Sequence, residues 1–182
     1  MNLTTYYFSS TLIWLGFINY FTLKKLYNTH IVHIIHAIVT VFLLYFNYNV
    51  LSLSFSFGYF IVEFLSCIYN NDTLYTFHAL CAIILILGCV FDHEYYNMEM
   101  YKILYIEIST PFLYLWKKYK TKELFLVFLI FFVIFRNIYL PYLVYKMVIY
   151  KLNIFSFLLF CLTFMQFIWI KKMIRIVLNY NE

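Results

Sequence analysis

Glycine occurs three times and proline twice in 182 residues. A membrane β-barrel needs short alternating strands separated by many turn residues, so this scarcity excludes one. Charge is scarce as well, at 12% of the chain. Soluble domains carry roughly a quarter. The four cysteines, Cys67, Cys81, Cys89 and Cys161, all fall in apolar runs and lack ligand spacing. A disulfide framework and a zinc site are thereby excluded, and the thiols read as small buried hydrophobes. Phosphate-binding loops, a Ser-His-Asp series and a nucleophile elbow are also missing.

What the chain does have is apolar surface, with 65% hydrophobic residues. A soluble core of this length cannot hide so much, so the solvent is lipid. The fold class is all-α, a multi-pass transmembrane helical bundle. Apolar runs at 5–23, 31–47, 52–69, 74–91, 101–116, 124–146 and 152–170 predict about seven spans, each near the 20 residues a bilayer requires. Residues 1–23 form a first span, 24–175 a domain of six more, and 176–182 a short tail. The first run lacks a basic leader and a small-residue cleavage site, so it reads as a retained span. The run beginning LSLSFSFG alternates serine with large apolar residues. Alone it is strand-like, but an unpaired strand edge does not survive in lipid, which leaves a helix or a lumenal loop.

Basic residues follow the first, fifth and seventh runs: Lys24 and Lys25; Lys117, Lys118, Lys120 and Lys122; Lys171, Lys172 and Arg175. Asp92, Glu94 and Glu99 lie on the opposite side, and Lys151 is the exception. The net charge of +5 therefore reads as topology, with no nucleic-acid partner. The N-terminus is non-cytosolic and the C-terminus cytosolic. Trp116 and Trp169 are placed as interfacial anchors. Of two glycosylation sequons, Asn2-Leu3-Thr4 lies outside and Asn71-Asp72-Thr73 lies in the cytosol.

Five ionisable residues sit inside spans: His36, Glu63, His78, Glu107 and Arg136. Lipid-facing charges are costly, so these face inward and find partners. At about 1.5 Å per residue, His36 and His78 lie roughly 5–9 Å from the cytosolic ends of their spans and Glu63 about 9 Å. Glu107 and Arg136 lie about 14–18 Å deep. The pattern describes a polar pocket open toward the cytosolic leaflet, with Arg136 paired to Glu107 or Glu63. The bland alternative is a set of interhelical bonds worth about 0.6 kcal/mol each. Pro111 frees the carbonyl of Glu107 and Pro141 that of Asn137, so a kink is expected beside each deep charge. Ser109 and Thr110 can satisfy part of the opened backbone. His30, His33 and His36 are three apart. Residues six apart stand about 120° from alignment on a helix, so no metal site is expected.

HIIHAIVT (33–40), FSFGYFIVEF (55–64), TFHALCAII (76–84), EISTPFLYLWKK (107–118) and FFVIFRNIYLPY (131–142) follow one another in an order that resembles the TLC domain. That family includes ceramide synthases, translocation-associated proteins and small TLC-domain proteins that affect membrane lipid composition. The likeness spans about residues 24–175 and is nearest to the small proteins. It implies a seven-helix bundle with a lipid-accessible cavity in the endoplasmic reticulum or a related endomembrane. Ceramide synthases carry a His-His pair and further acids. Here His78 stands alone and Glu107 is the single acid of its segment. The reading is a lipid-binding protein that influences membrane lipid composition without catalysis and without a cofactor, with membrane lipids as its partners. One alternative is an acyltransferase using acyl-CoA as co-substrate, with His78 or His36 as base. Another is a purely structural or translocation-associated role.

Overall fold

A computed structural model describes residues 9–16, 29–91, 100–150 and 154–179. Among these, the regular elements are all helical. They are α1 (residues 9–16), α2 (Thr29–Tyr45), α3 (Asn49–Tyr69), α4 (Thr73–Phe91), a 3₁₀ helix (Met100–Ser109), α5 (Thr110–Tyr119), α6 (Lys122–Phe132), a π-helical segment (Val133–Tyr139), α7 (Leu140–Tyr150) and α8 (Ile154–Asn179). The chain folds as two compact units, Met1–Leu104 and Tyr105–Glu182.

Both units expose large apolar side chains and bury several polar ones. Leu126, Ile130, Ile134, Ile138 and Tyr142 are exposed at four-residue spacing, and Phe157, Phe160, Phe164 and Phe167 line the outside of α8. Buried positions meanwhile include His36, Thr40, Ser52, Ser56, Glu107, Ser109, Arg136, Thr163 and Gln166. Four helices are long and apolar enough to cross a bilayer: Asn49–Tyr69, Thr73–Phe91, Lys122–Ile149 and Phe155–Leu178. The protein is an integral membrane protein. Most of the first expected span, 5–23, lies outside the described residues, as do Asn2, Lys24, Lys25, Lys151, Asp92, Glu94 and Glu99.

In the first unit α3 packs between α2 and α4. The serine alternation in LSLSFSFG proves helical. Ser52 and Ser56 stand one turn apart and bond α2, while Ser54 donates back to the carbonyl of Val50 at 2.8 Å. The two interhelical turns solve the glycine shortage with asparagine. Asn47 (φ 61°) and Asn71 (φ 56°) occupy the left-handed position after α2 and α3. Tyr48 N–H reaches Leu43 O at 2.8 Å and Asp72 N–H reaches Cys67 O at 2.9 Å, the six-to-one bond of a Schellman cap. Gly58 is required for a different reason. A Cβ there would stand 2.6 Å from Ser10 Oγ and 2.7 Å from the Ser10 carbonyl carbon, so only hydrogen lets α1 lie this close to α3.

In the second unit Phe125, Phe128, Phe132 and Met173 form a buried cluster, flanked by Trp116 and Trp169. The end of α5, the start of α6 and the last third of α8 therefore meet at one level. The basic residues Lys117, Lys118, Lys120, Lys122, Lys171 and Lys172 flank this cluster in sequence. α8 continues to Asn179, nine residues past the expected end of the last run, so Lys171, Lys172 and Arg175 stand on the helix itself.

Both prolines change helical register. Pro111 falls in the first turn of α5, where a missing N–H costs nothing. The preceding ten residues are 3₁₀, a register that offers the Glu107 carbonyl the N–H of Thr110 instead of Pro111. Burial follows a three-residue period: Lys102, Tyr105 and Ile108 are half-exposed, and the residues between them are buried. The greater 3₁₀ rise gives Met100–Tyr119 a contour of about 35 Å, enough to cross a bilayer. Pro141 follows the π segment. There a five-residue register offers the Asn137 carbonyl the N–H of Tyr142.

Candidate functional site

The first unit holds a polar seam between α2 and α3. His33, His36 and Thr40 share one face of α2; Ser52, Ser56, Tyr59 and Glu63 share one face of α3. At the closed end, Ser52 Oγ donates to Thr40 O at 3.1 Å, and the Thr40 and Ser56 hydroxyls meet at 3.0 Å. Ser56 Oγ also pairs with His36 Nε2 at 3.1 Å. His36 is fully buried in an aromatic box. Tyr59 stacks on its ring at 3.7 Å, Phe60 meets it edge-on at 5.4 Å, and Trp14 of α1 meets it edge-on at 6.1 Å. Trp14 is held by its own indole N–H, which donates to Phe55 O at 2.9 Å. The His36 Nδ1 atom has no hydrogen-bond partner among the described residues.

At the other end the seam opens. The Tyr59 hydroxyl bonds His33 Nδ1, and the same nitrogen lies 4.0 Å from Glu63 Oε1. The side chains of His33 and Glu63 keep 20% and 13% of their surface exposed. His78, on α4, touches the edge of Phe60 at 6.1 Å. Glu63 and His36 thus join one seam through Tyr59, and His78 approaches it through Phe60.

The second unit holds a separate network around Arg136. Its Nε donates to Ser109 Oγ at 2.9 Å and its Nη2 to Thr110 Oγ1 at 3.1 Å. The Thr110 hydroxyl in turn donates to Glu107 Oε2 at 2.7 Å. Ser109 donates to the carbonyl of Ile106 at 3.0 Å. Arg136 Nη2 and Glu107 Oε1 are 3.7 Å apart. Every polar residue of EISTPF is used, and all four partners are at least nine-tenths buried. The 3₁₀ register helps, because residues three apart eclipse and Glu107 lies directly against Thr110.

A family model for the TLC domain, the domain named for the TRAM, LAG1 and CLN8 proteins, matches residues 47–175. The chain belongs to the TLC-domain family. The match runs from the turn before α3 into α8, so it includes Glu63, His78, Glu107 and Arg136 and starts after His33 and His36. No curated protein and no solved structure matches the chain significantly. His33, Tyr59, Thr40, Ser52, Ser56 and Trp14 are the site residues that sequence reasoning missed. A signal was present in the i, i+3, i+4 spacing of polar residues on two adjacent runs.

Proposed function

We propose that this TLC-domain protein handles a membrane lipid within its helical framework and influences membrane lipid composition without catalysing acyl transfer. The observation that supports this is the α2–α3 seam. Its polar groups are closed off at one end and reach the surface of an otherwise lipid-facing unit at the other, through His33 and Glu63, with Tyr59 buried behind them. Such a rim suits the polar end of a lipid whose chain lies along apolar helix surface. Against catalysis, His36 Nε2 is tied to Ser56, and Glu107 and Arg136 are consumed by Thr110 and Ser109. The protein resides in the endoplasmic reticulum or a related endomembrane, with the lysines around α5 and α8 on the cytosolic side.

One contact favours the acyltransferase alternative. His33 sits beside both a phenol and a carboxylate, the kind of surroundings that orient a general base. Under that reading acyl-CoA is the co-substrate. Lipidomics of cells expressing wild type, His33→Phe or Glu63→Gln, with mass spectrometry of co-purified lipid, tests both readings. Lipid handling predicts bound lipid that the variants lose. A lipid-free preparation with an unchanged lipidome defeats both readings. A new acylated product that vanishes in His33→Phe favours the enzyme.

A further inference from the structure

Two carboxamides in the second unit are buried without satisfaction. Asn137 lies in the π segment, and neither its Oδ1 nor its Nδ2 has a hydrogen-bond partner among the described residues. Gln166 in α8 is fully buried; its Nε2 donates to Leu162 O at 3.2 Å, and its Oε1 has no partner. The π segment and α8 pack against each other. Asn137 lies within two residues of the middle of the helix Lys122–Ile149, and Gln166 within one of the middle of Phe155–Leu178. Both amides therefore stand near the centre of the bilayer, where an unpaired polar group is costly. Neither belongs to the Arg136 network. The π turn that carries Asn137 has the wide register that recurs at functional sites.

The chemistry of the unpaired atoms restricts what they can take. Two amide oxygens call for a hydrogen-bond donor, and one amide nitrogen calls for an acceptor. A hydroxyl offers both. An ester offers no donor, and an ion would bring a charge to the middle of the membrane with no counter-charge in this pair. We propose that Asn137 and Gln166 form a binding site for the free hydroxyl of a neutral lipid. The proposal rests on the lipid-handling reading and names the ligand class for the second unit.

Full-length protein in phosphatidylcholine nanodiscs, doped with dioleoylglycerol or with triolein, tests it. The two lipids carry the same acyl chains and differ in one free hydroxyl. Wild type is expected to gain about 3 °C or more in Tm with dioleoylglycerol and nothing with triolein. Asn137→Leu and Gln166→Met remove the amides at similar volume. Both variants are expected to match or exceed wild type in undoped discs, since unpaired groups are lost, and to show no gain with dioleoylglycerol. The proposal is overturned if triolein works equally, if wild type does not respond to dioleoylglycerol, or if the gain persists in both variants. It also falls if the variants are destabilised in undoped discs, which marks the amides as structural. Lipid that still co-purifies with the protein in any of these cases leaves lipid handling standing and removes only this site.

Discussion

The Arg136 guanidinium and the Glu107 carboxylate lie 3.7 Å apart with the Thr110 hydroxyl bridging them, accepting from one and donating to the other. The pair is buried and neutral as a whole, so its members are more interdependent than stabilising. Arg136→Met leaves Glu107 with a buried charge and is expected to cost about 3–5 kcal/mol in thermal unfolding of the detergent-solubilised protein. Adding Glu107→Gln removes that charge while keeping an acceptor for Thr110. The double variant should recover most of the loss. Equal instability in the single and double variants would show that Arg136 acts independently of Glu107.

Gly58 marks a close approach of α1 to α3. Its missing Cβ would meet Ser10 backbone atoms at 2.7 and 2.8 Å as well as the hydroxyl. Gly58→Ala is expected to destabilise the protein by about 1–3 kcal/mol through overpacking. It should also loosen Trp14, whose indole bond to Phe55 O depends on α1 staying in place. Because backbone is the obstacle, Ser10→Gly should not rescue Gly58→Ala. A rescued Tm would show that the side-chain hydroxyl is the true limit.

The spans and their deep charges were legible because hydropathy and the cost of ions in lipid act residue by residue. Arg136 and Glu107 needed partners, and their spacing from the prolines was visible. His33 entered only through its spacing from His30 and His36, since position along α2 says nothing of Tyr59 and Glu63 across the seam. Trp14 looked like one more apolar residue. The serines of LSLSFSFG left a helix and a lumenal loop both open, because a period of two and a pair of i, i+4 contacts share the same positions. The registers around Pro111 and Pro141 were expected as kinks. A proline announces a missing bond, but whether the chain tightens to 3₁₀ or widens to π depends on what each choice brings into contact.

Sidedness can be tested at the α5–α6 turn. Lys120 occupies the left-handed cap position with its ammonium 4.9 Å from the Trp116 ring. Of the native cysteines, Cys81 and Cys89 are buried, so Cys67→Ser with Cys161→Ala leaves a quiet background. In that background Lys120→Cys should react with a membrane-impermeant maleimide on the cytosolic face of sealed microsomes. Labelling only after the membrane is opened would reverse the proposed orientation.

Pro141 offers a test in which the sign of the effect changes with the background. Proline inside a helix normally costs about 3 kcal/mol against alanine. Pro141→Ala restores the N–H that an α register would give the Asn137 carbonyl, and with it the reason for the π turn disappears. Removing one residue's worth of winding turns Arg136 by about 100° relative to α7. That displaces it from Ser109 and Thr110, which it now reaches at 2.9 and 3.1 Å. Pro141→Ala alone should therefore lower Tm even though it improves the helix. In an Arg136→Met, Glu107→Gln background there is no Arg136 contact left to break, and the same substitution should raise Tm. A rise in both backgrounds would mean that the π segment does not position Arg136.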